Sequence, residues 1–241
     1  YRSLAADRDH ITYDYGDKID SFIGLDFDYI KSKALEIDVN QTSLFKSPEN
    51  LGSGTAYMAV KDEGGNAVSL IQSNFYGIGS TIGVSDYGFF LHNRGAGFNL
   101  IENHPNKIAP LRKPLHTLSP TIWSKDGKLD MIIGTRGGRY QPQLLSQFIL
   151  PLLLQSSSLE QVMKKSRWTI DYFDEHTESH LIFEPGTDKA LIKDLEQKGH
   201  NIKIEKSMQG SYGPISAICK DNNGQWSGVA DSRVETSKAI Y

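Results

Sequence analysis

Thr55 follows Gly-Ser-Gly, residues 52–54, and opens the run TAYMAVKD, residues 55–62. The turn EGGN, residues 63–66, and the run AVSLIQSNF, residues 67–75, complete a β-hairpin pattern. With the turn centred near Gly64 and Gly65, antiparallel pairing sets Thr55 opposite residues 73–74, so the Ser73 hydroxyl reaches the start of the first strand. A threonine hydroxyl is a weak nucleophile unless a base lies beside it. Its own α-amine can serve, since a pKa of about 7.7 to 8.0 leaves much of that amine unprotonated near neutral pH. That base exists only if the chain is cut between Gly54 and Thr55, and the small residues before the strand let the backbone adopt the geometry a self-cleaving peptide needs. From pattern alone the plainer reading is favoured: a strand-forming threonine and a strand-end serine.

Other stretches carry chemistry of the same kind. In GTRGGRYQPQ, residues 134–143, Gly137 and Gly138 join a strand to a helix, and backbone amides there can point at a developing oxyanion; a tight turn is the alternative. Arg94, in HNRGAGFN (residues 92–99), suits a bidentate grip on a carboxylate, against the default of a surface arginine. His116 and Thr117 precede a strand and can line a pocket. DEHTESH, residues 174–180, holds His176 and His180 but lacks the zincin order and reads as a solvated loop. GIGSTIG, residues 77–83, has the wrong spacing for a dinucleotide site, and no Gly-Lys-Ser/Thr ending marks a phosphate loop. The single cysteine, Cys219, excludes an intrachain disulfide framework or a cysteine-built zinc site and reads as a buried small hydrophobe. No cofactor and no metal are expected.

These residues need a scaffold, and the chain can supply one: 241 residues, 38% hydrophobic and 23% charged, suffice for a substantial core. A net charge of -3 with interspersed signs gives no footprint for nucleic acid or an anionic membrane. The apolar run FILPLLL is too short to span a bilayer. The chain opens on Tyr1 rather than Met, so an N-terminal part is expected to be missing, which leaves the location open with the cytoplasm favoured. DFDYIKSKALEID (residues 26–38) has helical spacing with Asp26 as cap, and residues 40–54 read as linker, which sets a boundary near residue 54. LSPTIWSKDGKLDMIIGT (118–135) repeats the hairpin design around Lys-Asp-Gly. QPQLLSQFILPLLLQ (141–155) and SLEQVMKKSRW (158–168) read as helices. Strands follow at 179–184, 200–206, 215–221 and 226–231, with a helix at 188–199 closed by Gly199. Hairpins, helices, then hairpins predict an α+β fold of antiparallel sheets layered with helices.

Taken together, GTAYMAVKDEGGNAVS, RKPLHTLSPTI, IIGTRGGRYQPQ, the ending GVADSRVETSKAIY and the early AADRD resemble, in order and approximate spacing, the gamma-glutamyltranspeptidase family of N-terminal-nucleophile (Ntn) hydrolases. The resemblance implies a four-layer α/β/β/α sandwich, with residues 1–54 ending the large-subunit region and residues 55–241 forming the small catalytic subunit. It implies that the precursor cuts itself between Gly54 and Thr55, that Thr55 is the nucleophile, that Ser73 is the second hydroxyl, and that Gly137 and Gly138 form the oxyanion hole. The implied partners are a small amide substrate and the large-subunit half of the same precursor, leaving a higher oligomer of that heterodimer open. Enzymes of the family specific for gamma-glutamyl groups carry Asn-Glu-Met-Asp-Asp where this sequence has Asn93, Arg94, Gly95, Ala96 and Gly97. Phe75 replaces an asparagine of the family, and His116 and Thr117 replace a serine pair. Losing two carboxylates and gaining a guanidinium disfavours a substrate ammonium. The NRG, HT and GGRYQPQ forms resemble the acylase and oxamate-amidohydrolase branch of the family, which implies Arg94 and Arg136 as anchors for a substrate carboxylate. The alternatives are a gamma-glutamyltransferase or glutathione hydrolase with rebuilt recognition, and an inactive homologue with a binding role.

Overall fold

The computed structural model describes residues 7, 10–16, 22–42, 53–155, 157–171, 180–210, 212–221, 223–235 and 238–240. Near its start Asp26 caps α1 (Phe27–Leu35), its carboxylate accepting from Tyr29 N at 2.7 Å. Of the expected linker, residues 43–52 lie outside the described residues.

β1 (Ser53–Lys61) and β2 (Ala67–Tyr76) form the first hairpin. Its turn is closed by Asp62, whose carboxylate takes the Asn66 amide N–H at 2.8 Å and the Asn66 side chain at 2.7 Å, with Gly65 at φ 88°. A small ribbon, β3 (Gly83–Val84) with β4 (Phe89–Phe90), follows; the sequence pattern did not mark it, since two-residue strands carry no periodicity. β5 (Thr121–Lys125) and β6 (Lys128–Thr135) make the second hairpin, with Asp126 at φ 51° and Gly127 at φ 73° supplying the left-handed pair such a tight connection needs. β10 (Ile215–Lys220) and β11 (Trp226–Ala230) join them in a four-stranded antiparallel sheet, order β11-β10-β6-β5.

Alternation along these strands sends one side chain set to each face. Met131, Ile133, Ala217 and Cys219 pack under α2 (Gln141–Leu154) and α3 (Leu159–Lys164), against Leu145, Phe148, Ile149 and Val162. Cys219 is buried there and its thiol is pushed up to about 12 by burial, so it is a packing residue. The opposite face carries the β1–β2 hairpin. There the Tyr57 ring lies so close to Gly134 that a Cβ at that position would meet it at 2.2 Å. Helices, sheet and hairpin thus make three successive layers.

A second sheet holds β7 (Trp168–Asp171), β8 (His180–Phe183) and β9 (Asn201–Ile204), with α4 (Lys189–Gln197) between β8 and β9. Two expectations are corrected here. β8 and β9 run parallel, because a helical crossover rather than a turn connects them. The segment read as a helix to Trp168 leaves helix after Lys164, because its next backbone amides are claimed from outside: Arg167 N donates to Glu184 Oε2 (2.8 Å), Trp168 N to Gln147 Oε1 (3.0 Å) and Ile170 N to Gln143 Oε1 (2.9 Å). His180 opens β8, within the strand expected at 179–184, and His176 lies outside the described residues.

Candidate active site

β1 begins at Ser53, two residues before Thr55, and its pairing shifts between the two: Ser53 faces Tyr76, whereas Thr55 faces Ser73. The extra residue on β2 is absorbed by Phe75, a buried aromatic at φ 80°, a conformation that costs of order 1–3 kcal/mol for a bulky residue. Gly54 is fixed by the same irregularity, since a Cβ there would sit 2.2 Å from Gly77 O. The small residue before Thr55 is therefore a steric requirement.

Thr55 is 5% exposed, and its hydroxyl donates to Ser73 Oγ at 2.9 Å. Ser73 Oγ also accepts from Phe75 N at 3.0 Å, so the backbone kink aims the serine oxygen at the threonine. Arg94 starts a 3₁₀ turn, Arg94–Gly97, and is buried, contrary to the default of a surface residue. Its Nη2 donates to Ser73 O at 3.4 Å, and its guanidinium lies 5.0 Å from the centre of the Phe75 ring. Its Nη1 is buried with no hydrogen-bond partner among the described residues, and burial lowers its pKa. The side chain of Asn93 is spent on backbone: Oδ1 accepts from Tyr76 N (2.9 Å) and Nδ2 donates to Tyr76 O (3.2 Å) and Gly79 O (3.0 Å). It brackets the Arg94 turn to the end of β2.

The 94–97 turn stacks on the segment before β5, where a Cβ at Gly97 would meet Leu115 O at 3.1 Å. His116 follows; its pKa is held below 6.5, first by desolvation and then by the charge of Arg94. Thr117 is half-buried beside it. Across the molecule, Gly137 (φ 128°) and Gly138 (φ 54°) turn the chain from β6 into α2, and Tyr140 N closes the turn on Gly137 O at 3.0 Å. Neither dihedral suits a residue with a side chain. Arg136 and Thr55 share a cavity of about 770 Å³ between β1, β10–β11 and the C-terminal segment. Arg94, His116, Gly137 and Gly138 lie outside its lining, so the cavity brings only Arg136 and Thr55 together among the expected site residues.

Sequence reasoning missed a cluster of buried charges, Arg167, Glu184, Asp231 and Arg233, which lie far apart in the chain at strand and segment ends. It also missed Trp226 on the cavity wall, with Lys61 Nζ at 5.0 Å and Lys220 Nζ at 5.3 Å from its ring. Among the described residues no group of histidine, cysteine and carboxylate side chains could hold a metal, and no helix is long and apolar enough to cross a membrane.

The layered fold is shared with Ntn hydrolases of known structure. Cephalosporin acylase from Bacillus halodurans superposes with a TM-score of 0.81 over 99% of this chain and 43% of its own, at 23% identity. Gamma-glutamyltranspeptidase from Pseudomonas nitroreducens gives 0.62 over 77% of this chain and 98% of its own, at 22% identity. The profile of the gamma-glutamyltranspeptidase family matches residues 4–241, and the chain belongs to that family. It is 36% identical over 87% of its length to the glutathione hydrolase-like YwrD proenzyme of Bacillus subtilis, and 32% identical over 81% to the oxamate amidohydrolase proenzyme of Klebsiella pneumoniae. The chain spans about two fifths of each of these relatives, 39% and 38%.

Proposed function

We propose that this chain is the catalytic part of a self-processing N-terminal-threonine amidohydrolase that cleaves a small carboxylate-bearing amide. The observation that carries the reading is the 2.9 Å contact between Thr55 Oγ1 and Ser73 Oγ, in a buried site behind a glycine that tolerates no side chain. In the precursor, Thr55 Oγ1 attacks the Gly54 carbonyl carbon; the peptide C–N bond breaks as an ester forms, and water then releases residue 54 as a carboxylate. The freed α-amine takes the Thr55 hydroxyl proton when that oxygen attacks a substrate amide. Ser73, whose hydroxyl can rotate, then donates to the threonine oxygen. The oxyanion of the tetrahedral adduct accepts hydrogen bonds from the Gly137 and Gly138 amides; the ammonium gives the proton to the leaving amine as the C–N bond breaks and the ester on Thr55 forms, and water then hydrolyses that ester.

Arg94 supports the substrate class. A buried guanidinium beside the hydroxyl pair, with Nη1 unmatched among the described residues, lacks the acceptor that a carboxylate would supply. Arg136, on the cavity wall with Thr55, is a second candidate cation for a substrate carboxylate, and His116 and Thr117 stand on the Arg94 side of the site. The family relatives named as proenzymes support a partner formed by the rest of the same precursor, with residues 1–54 closing the large subunit and residues 55–241 forming the small one. That partner would complete the α/β/β/α sandwich over the open face of β1–β2.

The test is purification of the full-length precursor and its Thr55→Ala variant, followed by assay with oxamate, a glutaryl amide and a gamma-glutamyl anilide. Two subunits from the parent, one from the variant, and turnover of the first two substrates are expected. Rapid release from the anilide alone would instead establish a gamma-glutamyl enzyme, and an uncut, inactive parent would establish a binding homologue.

A further inference from the structure

Four buried charged groups converge where the last strands meet the second sheet. Arg167 Nη2 pairs with Asp231 Oδ2 at 2.5 Å, and Arg233 pairs with Glu184 Oε2 at 2.5 Å and with Asp231 Oδ1 at 3.2 Å. Two cations and two anions balance, and nearly every remaining polar atom has a backbone partner. Glu184 takes Arg167 N (2.8 Å) and Gln209 N (2.9 Å), Asp231 takes Ile215 N (3.0 Å), and Arg233 donates to Met163 O (3.2 Å) and Lys165 O (2.9 Å). Such a cluster is a weak source of net stability, but it fixes geometry, because moving one member strands the others.

One arm of the cluster leaves it for the site. Arg167 Nη1 donates to Tyr212 O at 3.2 Å and to Gly213 O at 3.0 Å. Gly213, at φ 50°, is pressed against the residue before the glycine turn: a Cβ on it would meet Arg136 O at 2.1 Å and Thr135 Oγ1 at 2.5 Å. Its Cα lies 3.6 Å from where a Cβ on Gly137 would stand, and Leu144 touches both positions. The Thr135 hydroxyl, fully buried, faces Arg136 O at 2.9 Å and Pro214 O at 3.3 Å, joining the two segments again. A continuous path of contacts therefore runs from Asp231 through Arg167 and Gly213 to Arg136 and Gly137.

We infer that Arg167 is a positioning residue for the oxyanion-binding turn at Gly137–Gly138, acting through the carbonyls of Tyr212 and Gly213. The inference rests on the proposed role of that turn. Arg167 touches no reacting atom; it holds the 212–214 segment that backs the turn, and its own orientation is held by Asp231. An oxyanion hole works because its donors are already aimed before charge develops, so a small displacement of its backing lowers turnover without weakening ground-state binding.

The experiment uses the full-length processed enzyme with Arg167→Lys, Thr135→Val and, as comparison, Arg233→Lys. Each is assayed for kcat, KM, thermal midpoint and inhibition by a carboxylate-bearing boronic acid, whose tetrahedral adduct on Thr55 places an oxygen where the oxyanion forms. Lysine keeps the charge against Asp231 but loses the fork that spans two carbonyls, and valine removes the hydroxyl at nearly constant volume. Both should lower kcat tenfold or more with KM within about twofold, and weaken the boronic acid by the same factor. Arg233→Lys, which keeps a cation between Glu184 and Asp231 and leaves the Asp231–Arg167 pair and both carbonyl contacts in place, should lower the thermal midpoint while leaving the ratio of inhibition constant to KM near that of the parent. If Arg167→Lys fails to mature, Thr135→Val alone decides. Unchanged kcat and unchanged boronic acid inhibition in the variants that mature would overturn the inference, as would losses that only follow the thermal midpoint across all three. Failure of the parent itself to be acylated or inhibited would instead overturn the catalytic reading on which the inference stands.

Discussion

Ser73 is asked to receive two donors at once, the Thr55 hydroxyl and the Phe75 amide. Its replacement by alanine removes the acceptor of both in a buried place, at about 1–3 kcal/mol. Ser73→Ala should therefore mature slowly and lose about tenfold to a hundredfold in kcat, read from the rate of subunit appearance on gels and from steady-state kinetics. Arg94 makes a separable prediction. If its Nη1, without a hydrogen-bond partner among the described residues, meets a substrate carboxylate, Arg94→Gln forfeits a charged hydrogen bond of about 1.5–3 kcal/mol, so KM for a carboxylate-bearing amide should rise about tenfold to a hundredfold. A matched neutral amide should show little change. The same variant has a titration signature. Desolvation and the Arg94 charge both favour neutral His116, holding its pKa below 6.5, so removing the charge should move the midpoint upward in an NMR titration of the imidazole. A midpoint that stays put would show that Arg94 does not reach His116.

At the level of elements, the hairpins were legible and the register followed from them: apolar runs flanking Glu-Gly-Gly-Asn are enough to put Thr55 opposite Ser73. The family pattern pointed to Arg94 and the glycine pair as site residues, but no local pattern announces that Arg94 is buried or that Phe75 adopts φ 80°, since both depend on β2 meeting the 94–97 turn. The end of α3 was illegible for a similar reason, its amides being taken by Gln143, Gln147 and Glu184 from elsewhere in the chain. The contact between β1 and the sheet gives a sharp test. Gly134→Ala drives a methyl into the Tyr57 ring, an overpacking cost of about 1–3 kcal/mol, and tilts the strand that bears Thr55. A lowered thermal midpoint together with lowered turnover is expected, and Tyr57→Leu in the same chain should restore part of the stability. The buried carboxylates set an acid limit. Burial pushes Glu184 and Asp231 up, but for Glu184 the Arg233 guanidinium, and for Asp231 the charge of Arg167, together with backbone amides, outweigh it, so both are held below 4.5 and 3.8 respectively. Their contribution is complete above those unfolded values and is lost as pH falls through the lower folded ones. Calorimetry from pH 6 to 3 should show the midpoint falling mainly below about pH 4.5, and less steeply in Glu184→Gln, which starts about 3–5 kcal/mol less stable.

For the molecule as a whole, the outward face of β1–β2 is the conspicuous surface. Met58 stands opposite Leu70 and Val60 opposite Val68, and all four are roughly half exposed although they sit at the strand positions that alternation reserves for a core. If the remainder of the proposed precursor covers this face, Val60→Asp should weaken association of the two proposed subunits, measured by size-exclusion chromatography at rising dilution, while Val60→Ile should leave it intact. Consecutive residues of β1, Thr55 to Lys61, border the cavity that also holds Arg136, and Trp226 stands on its wall. The chain has only three tryptophans, and the other two, Trp123 and Trp168, pack against the two cores instead. With those two replaced by phenylalanine, the remaining indole, flanked by the ammonium groups of Lys61 and Lys220, becomes an optical gauge of the chamber beside Thr55. An anion or acyl group entering that space would alter the local field at the ring, so occupancy could be followed in real time by fluorescence, without a chromogenic leaving group and for substrates whose cleavage gives no signal of its own.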